Sequence, residues 1–354
     1  MGIAVLAITR NGVRLGKRLC EGLPAAELLV SSRYAGQAGP GQRAFPPEQL
    51  RELVSTLWSE CEGLVFIMAA GIVVRMIAPL LKGKDQDPAV VVMDDAGRFS
   101  VSLLSGHLGG ANELAERCAF VTGSRAVITT ATDANDLPSF DMLAREQGWA
   151  IDDLSRVKTL NRLLLDGEEI AVVDSSGQAR SWARGRGRLV YHDTIGAALE
   201  SGAAGCVCVT NRSLPPESLR EELLILRPRN LVLGIGCNRG TAADEIDAFV
   251  CGHLERLSLS MKSVRCVASV SAKSDEAGLL GFARRHSLGA VFYGGEELNG
   301  VAFPSPPSQH ALAAVGAAGV AEPAAILASG NGTLLLKKVK SDNVTLAVAE
   351  MGEA

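Results

Sequence analysis

Two polar segments in the first half of the chain carry residues suited to acid–base chemistry. The segment 105–113 holds His107 between glycines, and the segment 129–136 holds Asp133 and Asp136. An imidazole titrates near neutral pH, with an ordinary pKa of about 6.5. Two carboxylates close together repel each other, which raises the pKa of one toward the same range. These residue types predict general acid–base catalysis on a bound ligand, with His107 suited to the role of base.

Each candidate catalytic residue also has a structural interpretation. A histidine in a loop has two interpretations: it contacts a ligand, or it serves only to stabilise the fold. Carboxylates in a first helical turn are favoured by the helix dipole, and aspartates before Pro138 form turns. Both interpretations stay open for the candidate catalytic residues, which are His107, Glu113, Asp133 and Asp136.

Loops in which a strand ends in glycine and a helix begins predict anion binding. Such a loop directs backbone N–H groups and the helix dipole toward a negative charge. Loops of this kind occur at Gly71, at 106–110 and at 236–240. Arg75 and Arg239 add guanidinium groups that suit carboxylates. For the loop at 236–240, a tight turn that needs small residues is the alternative explanation.

Several enzyme classes lack their motifs in this sequence. The glycines 234, 236 and 240 miss the G-x-G-x-x-G spacing of dinucleotide sites, and no acidic residue ends the following strand. No H-E-x-x-H, paired CxxC or G-x-S-x-G motif is present. The eight cysteines are scattered, which favours reduced thiols and predicts no metal site.

Composition and charge exclude two kinds of partner. The net charge is -4 and no long basic run occurs, so nucleic acid is not expected. The longest apolar stretch, 63–74, is too short to cross a membrane. The first ten residues are typical of a strand and not of a signal peptide, so we expect a cytoplasmic protein.

Strand-like and helix-like segments alternate along the chain. This alternation predicts a multi-domain α/β fold with three-layer architecture and largely parallel sheets joined by strand–Gly–helix loops. The predicted domains are 1–137 with the His107 loop, a middle α/β region 138–227, and a C-terminal α/β domain 228–354. The oligomeric state stays open.

Three local features are predicted in more detail. The segment 34–47 is rich in Gly, Gln and Pro and is predicted to be a loop. The residues 94–97 are predicted to form a hairpin turn. Thr241 and Asp244 resemble a capping box at the start of a helix over 242–254.

Motifs in the same order along nearly the whole chain resemble the cobalamin biosynthesis protein CbiG family. The middle region 138–227 is the most weakly matched, and 105–112 is the most specific part. The motifs are GIVVRMIAPLLK (71–82), DPAVVV (87–92), LSGHLGGAN (104–112), ITTATD (128–133), GIGCNRGT (234–241), KSDE (273–276) and GVAEPAA (319–325).

The resemblance implies a hydrolase of anaerobic cobalamin biosynthesis. Its implied substrate is cobalt-precorrin-5A, a cobalt-bearing tetrapyrrole whose δ-lactone is opened with release of acetaldehyde to give cobalt-precorrin-5B. Cobalt would arrive inside the substrate, so no cofactor is expected, and neighbouring pathway enzymes are potential partners. The alternative is a non-catalytic protein that binds or delivers the tetrapyrrole.

The implied substrate carries many acetates and propionates, which suit the glycine loops described above. The candidate substrate-binding residues are Gly71, Arg75, Ser105, Gly106, Gly109, Gly110, Asn112, Thr132, Asn135, Gly236, Asn238, Arg239, Gly240 and Thr241.

Overall fold

A computed structural model describes residues 2–37, 42–83 and 86–352 of the chain. The chain divides into two compact units, Met1–Met142 and Leu143–Ala354. Its described helices are all too short, or not apolar enough, to cross a membrane.

The first unit is built on a sheet of seven strands in the order β3-β2-β1-β4-β5-β6-β7. The strands β1 to β5 are parallel, β6 runs antiparallel to β5, and β7 is parallel to β6. The strands are β1 (Ile3–Ala7), β2 (Ala26–Ser31), β3 (Arg43–Phe45), β4 (Gly63–Ile67), β5 (Ala89–Met93), β6 (Phe99–Leu104) and β7 (Arg125–Val127).

Helices cover both faces of this sheet, because alternate side chains of each buried strand point to opposite sides. In β1, Val5 packs with residues of α1 and α4, whereas Leu6 packs with residues of α2 and α3. The three-layer α/β architecture predicted from the sequence is confirmed for this unit. The helices are α1 (Arg10–Gly22), α2 (Leu50–Glu60), α3 (Ala70–Ile77), α4 (Ala111–Thr122), α5 (Ala131–Ala134) and α6 (Phe140–Gln147).

The reversal at β6 decides which loops lie together. Leu104 at the end of β6 pairs with Val90 at the start of β5. The loop after β6 therefore lies at the edge where β4 and β5 begin. Since β7 is parallel to β6, the loop after β7 reaches the same edge. The segments that carry His107 and Asp133 are thereby brought together.

The second unit contains two further sheets of five strands, in the orders β10-β9-β11-β12-β8 and β15-β14-β13-β17-β16. Most neighbouring strands are parallel, and β8, β16 and β17 pair antiparallel. The first sheet and its helices comprise β8 (Ala150–Ile151), β9 (Ile170–Val173), β10 (Leu189–His192), β11 (Gly205–Val209), β12 (Leu223–Arg227), α7 (Leu154–Leu165), α8 (Gln178–Ala183) and α9 (Ile195–Glu200).

The second sheet of this unit has its own helices and is joined to the first by polar contacts. Asn211 donates a hydrogen bond of 2.6 Å to Glu350, and Lys262 lies 3.2 Å from Asp152. Its elements are β13 (Leu231–Cys237), β14 (Val264–Val270), β15 (Gly289–Tyr293), β16 (Thr333–Lys340), β17 (Val344–Glu350), α10 (Ala243–Arg256), α11 (Ala277–Arg285), α12 (Gly295–Asn299), α13 (Gln309–Val315) and α14 (Ala321–Ala328).

Two local predictions need correction, and one is confirmed. The segment 34–47 is not only a loop, because Arg43–Phe45 pairs with β2 as an edge strand; residues 38–41 lie outside the described part. The capping box is wrong: α10 has Ala242 at its N-cap, and the Thr241 hydroxyl donates to the Asn238 carbonyl instead. The turn at 94–97 does join two antiparallel strands.

The predicted domain boundaries at 137 and 227 remain predictions. The division between the two units falls at 142, within α6, and the second and third sheets share one unit.

Candidate active site

The loop after β6 folds tightly so that its own carbonyls receive the first N–H groups of α4. The amides of Ala111 and Asn112 donate to the carbonyls of Ser105 and Gly106 at 3.1 and 3.0 Å. Gly109 is required here, since a Cβ on it would lie 2.3 Å from the Ser105 Cβ. These two helix N–H groups are therefore used within the loop, in contrast to the expectation that they face an anion.

His107 projects from this loop between two aspartates. Its Nε2 lies 2.8 Å from an Asp133 oxygen and 3.2 Å from the Thr132 hydroxyl. Its Nδ1 lies 3.1 Å from the Ser139 hydroxyl and 3.3 Å from an Asp141 oxygen. The His107 side chain is only 13% exposed. Both ring nitrogens thus face a hydrogen-bonding oxygen of a carboxylate.

Asn112 and Thr130 hold Asp133 from the other side. The Asn112 amide donates to Asp133 Oδ2 at 2.9 Å and to the Thr130 hydroxyl at 3.0 Å. The Thr130 hydroxyl donates to the same Asp133 oxygen. Ser102 donates to the Asn112 Oδ1 at 2.7 Å, which fixes the orientation of the amide. Asn112, which the sequence suggests as a substrate-binding residue, is buried and supports Asp133.

The carboxylates change the charge state of His107. Burial lowers the pKa of His107, but the hydrogen bonds and charges of Asp141 and Asp133 outweigh it and raise that pKa above 6.5. Burial likewise raises the pKa of Asp141, but its hydrogen bonds with His107 and Ser139 bring that pKa below 3.8. The structure therefore favours an imidazolium between two carboxylates, in contrast to the unperturbed histidine expected from the sequence.

Ser139 and Asp141 belong to the His107 cluster but were not identified from the sequence. They follow Pro138 and were placed outside the site, in the next predicted region. Both are buried, and the Ser139 hydroxyl donates to Asp141. No local pattern marks them, because the burial that obliges these polar groups to find partners is visible only in the folded structure.

Three further predicted residues, Asp136, Asn135 and Glu113, lie in the same segments. Asp136 adopts a left-handed backbone conformation with φ of 51° just after α5. The Asn135 amide donates to the Ala131 carbonyl at 2.8 Å. Glu113 is exposed on α4 and lines a separate surface cavity with Arg117 and Phe120. Asp141, which was not among the predicted residues, joins Asp133 at the imidazole.

Gly71 and Arg75 lie away from this cluster. Gly71 follows the end of β4, whereas the His107 loop lies at the edge where β4 begins. The Arg75 guanidinium donates to the Gly71 carbonyl at 3.0 Å, within its own helix. Gly71 and the glycines 106–110 therefore lie at opposite edges of the sheet.

The predicted loop of the second unit is occupied by a carboxylate of the chain itself. The Gly240 amide donates to Glu276 at 2.9 Å, and Arg239 pairs with Asp275 at 2.8 Å. Asn238 donates to Asn343 at 2.9 Å. The loop between Gly236 and Thr241 was predicted to bind an anion. Its Gly240 amide binds the buried carboxylate of Glu276, which belongs to the chain itself.

A cavity of about 490 Å³ opens beside the His107 loop. Leu108 and Gly109 of the loop form one wall, and Trp58 and Lys82 contribute to the others. The cavity shares this loop with the cluster, but its lining residues do not include His107, Asp133 or Asp141.

Among the described residues, one group of potential metal ligands lies close together: Asp247, Cys251 and His286. The Asp247 carboxylate already pairs with Arg285 at 3.1 Å and with His286 at 2.5 Å. These contacts join α10 to α11.

Three family models match successive parts of the chain. Residues 52–133 match the model described as cobalamin synthesis G N-terminal, 138–228 the cobalamin biosynthesis central region, and 231–349 the cobalamin synthesis G C-terminus.

Curated relatives match over almost the whole length. A protein of Priestia megaterium named cobalt-precorrin-5A hydrolase is 38% identical over 98% of this chain and 94% of its own. A protein of Salmonella typhimurium with the same name is 32% identical over 98% and 97%. Protein CobE of a Sinorhizobium species is 35% identical over 34% of this chain and 79% of its own.

Proposed function

The chain belongs to the cobalamin synthesis G family, and we propose that it hydrolyses cobalt-precorrin-5A to cobalt-precorrin-5B with release of acetaldehyde. The observation that carries the proposal is the similarity to hydrolases of that name from end to end of the chain. The chain is thus an enzyme of cobalamin biosynthesis, and its substrate is a cobalt-bearing tetrapyrrole.

The cluster around His107 supports a hydrolytic reaction in the first unit. Lactone opening needs a base that activates water, and the released alcohol must lose its proton when the carbon–carbon bond breaks. The electron pair of that bond passes into the macrocycle, so the protein needs no electron sink of its own. Two aspartates and a histidine within hydrogen-bonding distance are suited to these proton transfers.

We propose His107 and Asp133 as the catalytic pair, with Asn112 and Thr132 beside them. The glycines of the loop and the neighbouring cavity supply the shape of the site. Glu113 and Asp136 remain candidate catalytic residues. The remaining candidates for contacts with the substrate periphery are Asn135, Gly71, Arg75, Gly236, Asn238, Arg239, Gly240 and Thr241.

The proposal includes no resident metal or cofactor, because cobalt enters with the substrate. It also includes a cytoplasmic location and direct transfer of the labile substrate from neighbouring pathway enzymes. Metal analysis of dialysed, active protein tests the first point: stoichiometric zinc that is lost in Cys251→Ser would contradict it.

Purified protein mixed with cobalt-precorrin-5A distinguishes the enzyme from a carrier. We expect acetaldehyde to form in proportion to the substrate consumed, with repeated turnover at low protein concentration. Tight binding without acetaldehyde would instead favour a non-catalytic protein that binds or delivers the tetrapyrrole.

A further inference from the structure

The two oxygens of the Asp133 carboxylate have different surroundings. Oδ2 accepts hydrogen bonds from His107, Asn112 and Thr130. Oδ1 receives none from the residues in 2–37, 42–83 and 86–352, and the side chain is 45% exposed. Asp141, in contrast, is 8% exposed and engages Ser139 with one oxygen and His107 with the other. Asp133 alone of the two can present an oxygen to a ligand.

The imidazole between them is poorly placed to accept a proton. Both of its nitrogens face acceptors, so the form that satisfies both is the imidazolium, in which each nitrogen donates. The charged groups that face it include Asp133 from α5 and Asp141 from α6, while Asn112 of α4 is neutral. A ring held in this form has no lone pair with which to remove a proton from water.

We infer that Asp133 is the catalytic base through Oδ1, and that Asp141 is a positioning residue that keeps His107 protonated and oriented. This inference rests on the proposed hydrolase function and assigns roles within it. It also reverses the expectation that His107 is the base. His107 then holds Oδ2 so that Oδ1 is directed to the reacting atoms.

The proton transfers balance with Asp133 alone. As the water oxygen bonds to the lactone carbonyl carbon, its proton moves to Oδ1. When the lactone C–O bond breaks, that proton passes to the leaving oxygen and gives the alcohol. The alcohol proton then returns to Oδ1 as the carbon–carbon bond breaks and acetaldehyde leaves. The electron pair stays on the macrocycle, which takes up the proton.

The pH dependence of kcat/KM for acetaldehyde release tests these roles, together with the titration of His107 followed by NMR. We expect activity to fall at alkaline pH in step with the loss of the His107 proton. In Asp141→Asn, the His107 titration and this alkaline limb should both move to lower pH, because a charged partner is lost. Asp133→Asn should bind substrate but lose at least about a hundredfold in rate.

The test has a control variant, and two different results would contradict the inference or the proposed function. Asp166→Asn removes an exposed carboxylate that pairs with Arg162 at 3.3 Å, and should change neither curve. Activity that rises as His107 loses its proton would overturn the inference while leaving the hydrolase function intact. A wild-type protein that releases no acetaldehyde would instead defeat the function itself.

Two further results would each remove one of the two proposed roles, that of Asp133 or that of Asp141. Near-normal turnover by Asp133→Asn would remove Asp133 as the base, and an unchanged His107 titration in Asp141→Asn would remove the positioning role. If Asp141→Asn does not fold, Ser139→Ala gives the same test. It removes one hydrogen-bond partner of both Asp141 and His107, so a smaller shift in the same direction is expected.

Discussion

Substitution of Gly106 by alanine tests whether the support of Asp133 matters for catalysis. A Cβ at this position would lie 2.7 Å from Asn112 Oδ1 and 3.1 Å from Thr130 Cγ2. The backbone of Gly106 is not left-handed, so the added methyl group acts by contact and not through backbone strain. It presses on two of the residues that hold Asp133.

The size of the effect follows from these distances. An ordinary contact begins at 3.4 Å, so Asn112 must move by about 0.7 Å. Its hydrogen bond to Asp133, now 2.9 Å, then lengthens to the limit of a useful interaction. Misplacement of a catalytic group by 1 Å costs about a hundredfold in rate, so we expect a loss of about ten- to a hundredfold in kcat. Overpacking should lower the free energy of unfolding by about 1–3 kcal/mol.

The assay is acetaldehyde release under saturating cobalt-precorrin-5A, with thermal unfolding measured on the same preparation. Gly196→Ala is the control, since its added Cβ would meet no atom within 4 Å. A folded Gly106→Ala protein with wild-type kcat would show that the position of Asn112 does not control the chemistry.

Three further predictions concern the site and the fold. His107→Ala should fold and bind substrate but release acetaldehyde about a hundred- to ten-thousand-fold more slowly, measured by steady-state kinetics; normal turnover would exclude it from the mechanism. The contribution of His107 to the free energy of unfolding depends on pH. Because the folded-state pKa of His107 is raised, the stability it contributes is complete below pH 6.5 and is lost as pH rises through the folded-state value. The difference in free energy of unfolding between wild type and His107→Ala, measured with urea, should therefore narrow as pH rises, and a difference that grows with pH would contradict this. Gly234→Ala should destabilise the second unit, since its Cβ would lie 1.9 Å from the Ala321 carbonyl oxygen, whereas Gly236→Ala, with its nearest atoms at 3.7 Å, should unfold like wild type.

The sequence predicts the core of the candidate site because two of its loops follow neighbouring parallel strands. His107 and Asp133 lie after β6 and β7, whose carboxyl ends meet at one edge of the sheet. Asn112 and Thr132 belong to the same segments and are found in the cluster. Local spacing is enough to identify residues of this kind.

Other parts of the site depend on topology that local patterns do not reveal. The hairpin between β5 and β6 was predicted, but its consequence is that the loop after β6 lies at the opposite edge from Gly71. Ser139 and Asp141 were missed because they begin a helix that was assigned to another region. Gly240 is a case in which the local pattern was present but its partner lies elsewhere in the chain. Its amide donates a hydrogen bond to Glu276, a residue 36 positions away.

The central claim is that His107 and Asp133 act as one unit in the hydrolysis of cobalt-precorrin-5A. A double-mutant cycle on acetaldehyde release, with His107→Ala, Asp133→Asn and both together, tests it most directly. Residues that act as a unit show strongly non-additive losses. We predict that the double variant is no slower than the slower single variant. A double variant whose loss equals the product of the two single losses would contradict the account.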